Sequence, residues 1–115
     1  MSVQSVEKHQ MRMFNHTLSE VIVRDGYRSV QLHRVGRIAI YRRQSIKAAS
    51  VHFEVVKILV EHKTRELPSG SIRKAGDESY PSSSTWGTHG WTFQSLERAQ
   101  DKFTQIIRKD DSQCD

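Results

Sequence analysis

The sequence predicts an α+β domain: a small antiparallel sheet of three to five strands with a C-terminal amphipathic helix packed on one face. Three observations carry this expectation. Between Glu20 and Phe93 the apolar residues recur mainly with a period of two, the mark of strands. Asp25-Gly26 and Gly36 punctuate those runs with turn chemistry. From Ser95 onward the period lengthens to that of a helix with one apolar stripe.

The N-terminal segment, residues 1–19, carries scattered apolar positions. Met11, Phe14 and Leu18 fall at i, i+3 and i+7, which gives either one side of a short helix or a frayed end docked through Phe14. Glu20 to Val23 is β-prone, and the Asp25-Gly26 pair after it accommodates the positive φ of a tight hairpin turn. Two strands follow, about Tyr27 to His33 and Arg37 to Arg43, meeting at a turn around Val35-Gly36; one long strand bulged at the glycine is the alternative. Gln44 to Ser50 reads as a connection.

VHFEVVKILV, from Val51, is the most hydrophobic run. Apolar residues on both parities, most of them β-branched, predict a strand at the middle of the sheet. Ile46, Ala49, Phe53, Val56 and Val60 also suit a helix from Ser45 to His62, and the density of Val and Ile favours the strand. Glu61 to Ser71 reads as a loop ending in Leu67-Pro68-Ser69-Gly70, with a brief strand from Ser71 to Lys74 and a turn at Ala75 to Glu78.

The most distinctive stretch runs from Ser79 to Phe103. Ser82 to Thr85 offers four successive hydroxyls, suited to bonding local backbone amides. Gly87 and Gly90 are expected at backbone angles closed to other residues, letting Trp86 and Trp91 approach a strand or each other. Trp91 and Phe93 share a parity and face the core. Ser95 is an N-cap, Glu97 sits at the positive end of the helix dipole, and Arg108 and Lys109 sit at the other end. Leu96, Ala99, Phe103, Ile106 and Ile107 form the buried stripe. Residues 20–109 are thus read as one domain and 110–115 as a disordered polar tail.

Composition narrows the functional classes. The 115 residues include 18 Lys and Arg against 13 Asp and Glu, a net charge of +5, with pI near 9.7 and mean hydropathy of -0.65. That balance is compatible with nucleic acid or an acidic protein as partner. The single Cys114 excludes an internal disulfide and suits a reducing, cytoplasmic setting. No apolar run approaches the ~18 residues of a membrane span, and MSVQSVEKHQMRMF lacks the apolar region of a secretory signal.

One charge asymmetry stands out. Between Tyr27 and Phe53 there are Arg28, Arg34, Arg37, Arg42, Arg43 and Lys47 and no acidic residue. On one hairpin face these guanidinium groups would bind phosphates, with Tyr41 or Trp86 stacking on bases; otherwise they form a solvated face that discourages aggregation. Tyr80, Trp86 and His89 beside the serine loop are candidates for a ligand or partner pocket. The six histidines lack clustered metal-ligand spacing, Ser82 to Ser84 lie in no nucleophile elbow, and no phosphate-cradling glycine loop occurs. No metal, cofactor or catalytic residue is therefore expected.

FEVVKI, ESYPSSSTWGTHGWTF and SLERAQDKF, within a span from Phe53 to Phe103 that covers about half the chain, resemble short uncharacterised bacterial and phage-type proteins in which a Y-P-S turn precedes W-G-x-x-G-W-T-F and a helix. That resemblance implies an origin in accessory or mobile genes and no known activity. Trp86-Gly87 and Gly90 are also similar to the turn of the WGR domain, a sheet-and-helix module of nucleic-acid-binding proteins, although Thr88 stands where that domain has arginine. The expectation is a non-enzymatic binding module. Its partner is nucleic acid through the arginine-rich hairpin; alternatives are a protein-interacting or self-associating (dimeric) subunit, or a small ligand-binding domain or enzyme with a pocket at Tyr80, Trp86 and His89.

Overall fold

A computed structural model describes the backbone of residues 16–114 and the side chains of residues 16–109. The expected N-terminal helix positions Met11 and Phe14 lie outside the described residues. The chain groups into two compact units, one containing Val60–Ser79 with residues 16–18, the other Ser19–Leu59 with the chain from Tyr80 onward.

The larger unit is the expected antiparallel sheet with one helix. Its strands are β1 (Val21–Arg24), β2 (Tyr27–Val35), β3 (Ile38–Ser45) and β4 (Val51–Lys57). After the intervening short strands β5 (Leu59–Val60), β6 (Arg65–Glu66), β7 (Ile72–Arg73) and β8 (Glu78–Ser79), β9 (Gly90–Phe93) completes the sheet in the order β1-β2-β3-β4-β9. The Asp25-Gly26 turn forms as expected, both residues at positive φ (56° and 79°), which matches the twist of the strands it joins. Gly36 opens the second turn, so the two-strand alternative is the observed one.

The pairing contains an irregularity that the sequence does not signal. β2 and β3 are in register from Tyr27↔Ser45 to Gln31↔Tyr41, then resume at His33↔Ile40, with Leu32 extra. This bulge inverts the facing of the rest of β2: Val30 and His33, of opposite parity, end on the same side of the sheet. Val51–Lys57 is a strand, as its Val and Ile content favours, but it is not the middle one. The centre is β3, where Ile38, Ala39, Ile40 and Tyr41 are all buried in succession. Its polar Tyr-Arg-Arg-Gln end hides this role, because the Tyr41 phenol is buried only by donating to the Ser19 carbonyl (2.7 Å) while accepting from Gln31 Nε2 (3.0 Å).

Helix α1 (Leu96–Cys114) packs on β3, β4 and β9. Ala99, Phe103 and Ile106 close the core with Ile38, Ile40 and Val55, flanked by Phe53, Trp91, Phe93 and Ile107. Ser95 caps it: its Oγ accepts from the Arg98 amide (3.3 Å), and its carbonyl takes the first helical bond, from Ala99 (3.1 Å). The helix continues to Cys114, so Arg108 and Lys109 lie before its last turn, which holds no basic residue.

In the smaller unit β6 and β7 form a ribbon, a brief strand at the position expected between Ser71 and Lys74. The bracket of this unit is Asp77. Its carboxylate accepts from the backbone amides of His16 (2.7 Å) and Lys74 (2.9 Å), and these two bonds hold its pKa below the usual carboxylate range. Glu61 and Arg65 add a forked ion pair at 2.8 Å, on the surface.

Candidate functional site

The register divides the sheet's side chains between two faces. Ile40, Val55 and Trp91 are aligned across β3, β4 and β9 on the helix side, as are Arg42, Phe53 and Phe93. Tyr41, Glu54 and Thr92 are aligned on the opposite side, with Arg43 and His52 paired beside them. That opposite face carries the most organised polar cluster among the described residues.

Glu54 is its centre. A carboxylate 5% exposed in mid-strand requires partners on both oxygens. Oε1 accepts from the Tyr80 hydroxyl at 2.5 Å; Oε2 accepts from Arg43 Nη1 at 3.3 Å and lies 3.4 Å from His52 Nε2. Tyr80 is held in turn, its ring edge-on to Tyr41 at 5.3 Å. Burial, then the negative charge of Glu54, push the Tyr80 phenol well above its ordinary pKa, so it remains a proton donor. The Arg43 guanidinium also sits 4.3 Å over the Tyr27 ring.

The segment from Tyr80 to Trp86 completes the site. Tyr80-Pro81 is trans, and Ser83–Thr85 makes one 3-10 turn. Its hydroxyls bond locally, as expected: Ser82 Oγ with Ser84 Oγ at 2.7 Å, Thr85 Oγ1 to the Ser82 carbonyl at 2.8 Å. Gly87 takes φ 98°, whereas Gly90 adopts no such angle and is required for space, its position facing the Trp86 ring. The indole Nε1 donates to Thr92 Oγ1 (2.9 Å), and the ring lies nearly parallel to Tyr80, 25° between planes with centroids 6.4 Å apart. The two tryptophans therefore part company: Trp86 lies on the Glu54 face and Trp91 on the helix face under Lys102.

Between this segment and the β1–β2 turn lies a cleft of about 400 Å³, bordered by Arg24, Arg43, Glu54, Tyr80, Ser82 and Trp86 among others. Glu54 turns its charge inward, but Arg43, with 27% of its side chain exposed, spends only Nη1 on Glu54. Its Nε and Nη2 donate to nothing among the described residues. The cleft thus offers a guanidinium edge, serine hydroxyls and an aromatic wall, with the exposed Arg24–Asp25 ion pair (3.7 Å) at its border.

Of the residues expected to act, Tyr80, Trp86 and Arg43 come together here. His89 does not line the cleft; its Nδ1 lies 3.2 Å from Thr88 Oγ1. The hairpin arginines do not share one face. Arg28 and Arg42 lie on the helix side, Arg42 bonded to Gln44 at 2.8 Å. Arg34, past the bulge, lies on the Glu54 side with its Nε on the Gly36 carbonyl, and Arg37 is in the turn. Tyr41, with 0% exposure, presents no ring face for stacking. Sequence reasoning missed Arg24, His52 and the role of Glu54, yet a lone acid inside VHFEVV is a signal, since a strand buried on both faces cannot hold it unpaired.

Among the described residues no group of three or more His, Cys, Asp or Glu side chains is placed to hold a metal ion, and no helix is long and apolar enough to cross a membrane. The fold and site define a small α+β domain with a polar, aromatic-walled cleft. No family model, curated protein or solved structure matches the chain.

Proposed function

We propose that the protein is a non-enzymatic binding module whose cleft takes a small anion attached to a planar ring. The observation that carries this reading is the unused edge of Arg43 opening into a cleft walled by Tyr80 and Trp86. A guanidinium edge matches a carboxylate or phosphate with two parallel bonds. Trp and Tyr supply apolar area with little loss of freedom on binding. Glu54 serves as the fixed anchor that aims both Arg43 and Tyr80, so the donors are pre-set before a ligand arrives. Tyr80 stays protonated and Glu54 faces inward, which supports binding over acid/base chemistry. The single cysteine fits a cytoplasmic setting.

Isothermal titration with benzoate, inorganic phosphate and adenosine monophosphate tests the reading. A ring-bearing anion gives saturable binding that Arg43→Gln or Arg24→Gln weakens, and free phosphate binds more weakly. Absence of saturation by all three at ~10 mM overturns it. A short DNA or RNA strand forms a further arm: salt-sensitive binding of the strand without binding of the mononucleotide replaces the small ligand by nucleic acid.

A further inference from the structure

The helix side of the sheet is only partly covered. Adjacent strands stand about 4.8 Å apart, so five of them span about 19 Å, whereas one helix is about 10 Å across. Helix α1 rests mainly on β3, β4 and β9 and meets β2 at His33, whose ring lies 5.1 Å from that of Phe103, so among the described residues β1 and the rest of β2 have no layer over them. That uncovered half is apolar. Val21 and Val23 align with Val30 and Arg28 and, through them, with the helix-side row of Arg42 and Phe53. The bulge at Leu32 brings His33 and Val35 to the same side. Val23 is 64% exposed, Val21 and Val35 45% and Leu32 43%, and Leu96 at the helix start adds 37%. Contiguous apolar exposure of this kind marks an interaction surface.

The groove between the sheet half and the helix has two unlike walls. On the sheet side Leu32, His33 and Ile40 line the groove, and Arg28 and Arg42 stand further along the same face, with no carboxylate anywhere in β2 or β3. On the helix side, Leu96, Gln100 and Thr104 line the groove, and Glu97 and Asp101, each one position further round, stand at its rim, with Arg108 on the same side nearly two turns beyond Asp101. None of Arg28, Glu97 and Asp101 makes an ion pair among the described residues.

We infer that this face binds a second copy of the chain, the helix of each protomer lying on the uncovered β1–β2 half of the other. A partner acidic throughout would answer the arginines and meet Glu97 and Asp101 with like charge. A copy related by a twofold axis brings each wall to its opposite twice over, because an isologous contact repeats every pair. It also supplies a helix of the right width to a sheet that has room for one more.

Sedimentation velocity across a concentration series tests this on the intact chain. The mass rises from 13.3 kDa toward twice that value, and added salt weakens the association. Arg28→Glu with Arg42→Glu, and separately Glu97→Lys with Asp101→Lys, each weaken self-association at least tenfold. Mixing the two variants one to one restores a dimer, since each then offers the other its complement. Val23→Ser, at an exposed site, removes apolar area without adding charge and weakens association, and circular dichroism verifies the fold of every variant. A monomer at all concentrations to about 1 mM overturns the inference, as does a mixture that fails to associate.

Discussion

The six-membered ring of Trp86 occupies the space in which a side chain on Gly90 would begin: a Cβ there would fall within 3.0 Å of three ring carbons. The indole cannot simply swing away, because its Nε1 is bonded to Thr92 Oγ1 and the Gly87 amide to the Gly90 carbonyl (2.7 Å). Gly90→Ala is therefore expected to displace Trp86 and lower stability by about 1–3 kcal/mol, the usual cost of overpacking. Urea denaturation measures the loss. With Trp86→Ala already in place, the same substitution costs much less; equal costs in both backgrounds would show that the ring is not the obstacle.

Tyr80 and Glu54 yield a pH dependence. The phenol pKa is raised in the folded protein by burial and by the Glu54 charge, so its contribution to stability is complete below the unfolded phenol value near 10. Above that pH the unfolded chain loses the proton while the folded protein keeps it, and stability falls by about 1.4 kcal/mol per pH unit. Tyr80→Phe removes that slope. Near pH 7 it also leaves Glu54 Oε1 without its donor, at a cost of about 1–3 kcal/mol. Stability curves of both proteins from pH 7 to 11 check this, and parallel curves above pH 10 would refute the coupling.

What was legible in the chain was what neighbouring residues encode. Asp25-Gly26 specifies its turn within two residues, and Ser95 with the stripe Ala99, Phe103 and Ile106 specifies a capped helix. Long-range pairing is written less plainly. Nothing in Gln31-Leu32-His33 marks a bulge, since no glycine is needed there, yet the bulge decides which side chains of β2 face the helix. Hydrophobic density pointed to Val51–Lys57 as the central strand, but centrality went to β3, whose Tyr41 buries a polar tip by reaching the Ser19 carbonyl. The cleft gathers Arg24, Arg43, Glu54, Tyr80 and Trp86 from separate segments. Only its aromatic residues and Arg43 had local patterns that drew notice, and alternation alone could not tell Arg43 from Arg42, which turns the other way.

Asp77 is the next test, within the smaller unit. Its carboxylate receives two backbone amides, which keep it ionised, so the stability it contributes is present above the ordinary carboxylate range and fades as the pH falls. Asp77→Asn leaves one amide, at His16 or Lys74, facing an NH2 group in place of an acceptor. Protection factors at those amides, that is, exchange rates corrected for the intrinsic pH dependence, should fall in the variant, and acidification should lower them in the parent protein but much less in the variant. Unchanged exchange at both positions would remove Asp77 from this role.

The start of α1 offers a test of the larger unit that leaves both the cleft and the core stripe intact. Ser95 Oγ takes up the Arg98 amide, one of the four at a helix start that have no partner inside the helix. Ser95→Ala strands that amide and is expected to cost about 0.5–2 kcal/mol. Ser95→Asp keeps an acceptor and adds negative charge at the positive end of the helix dipole, so it should match or exceed the parent in stability. Thermal unfolding of the three proteins orders them Asp, Ser, Ala. If Ala equals Ser, the bond at 3.3 Å is too weak to hold the helix start, and the packing of Ala99 and Phe103 alone must hold it.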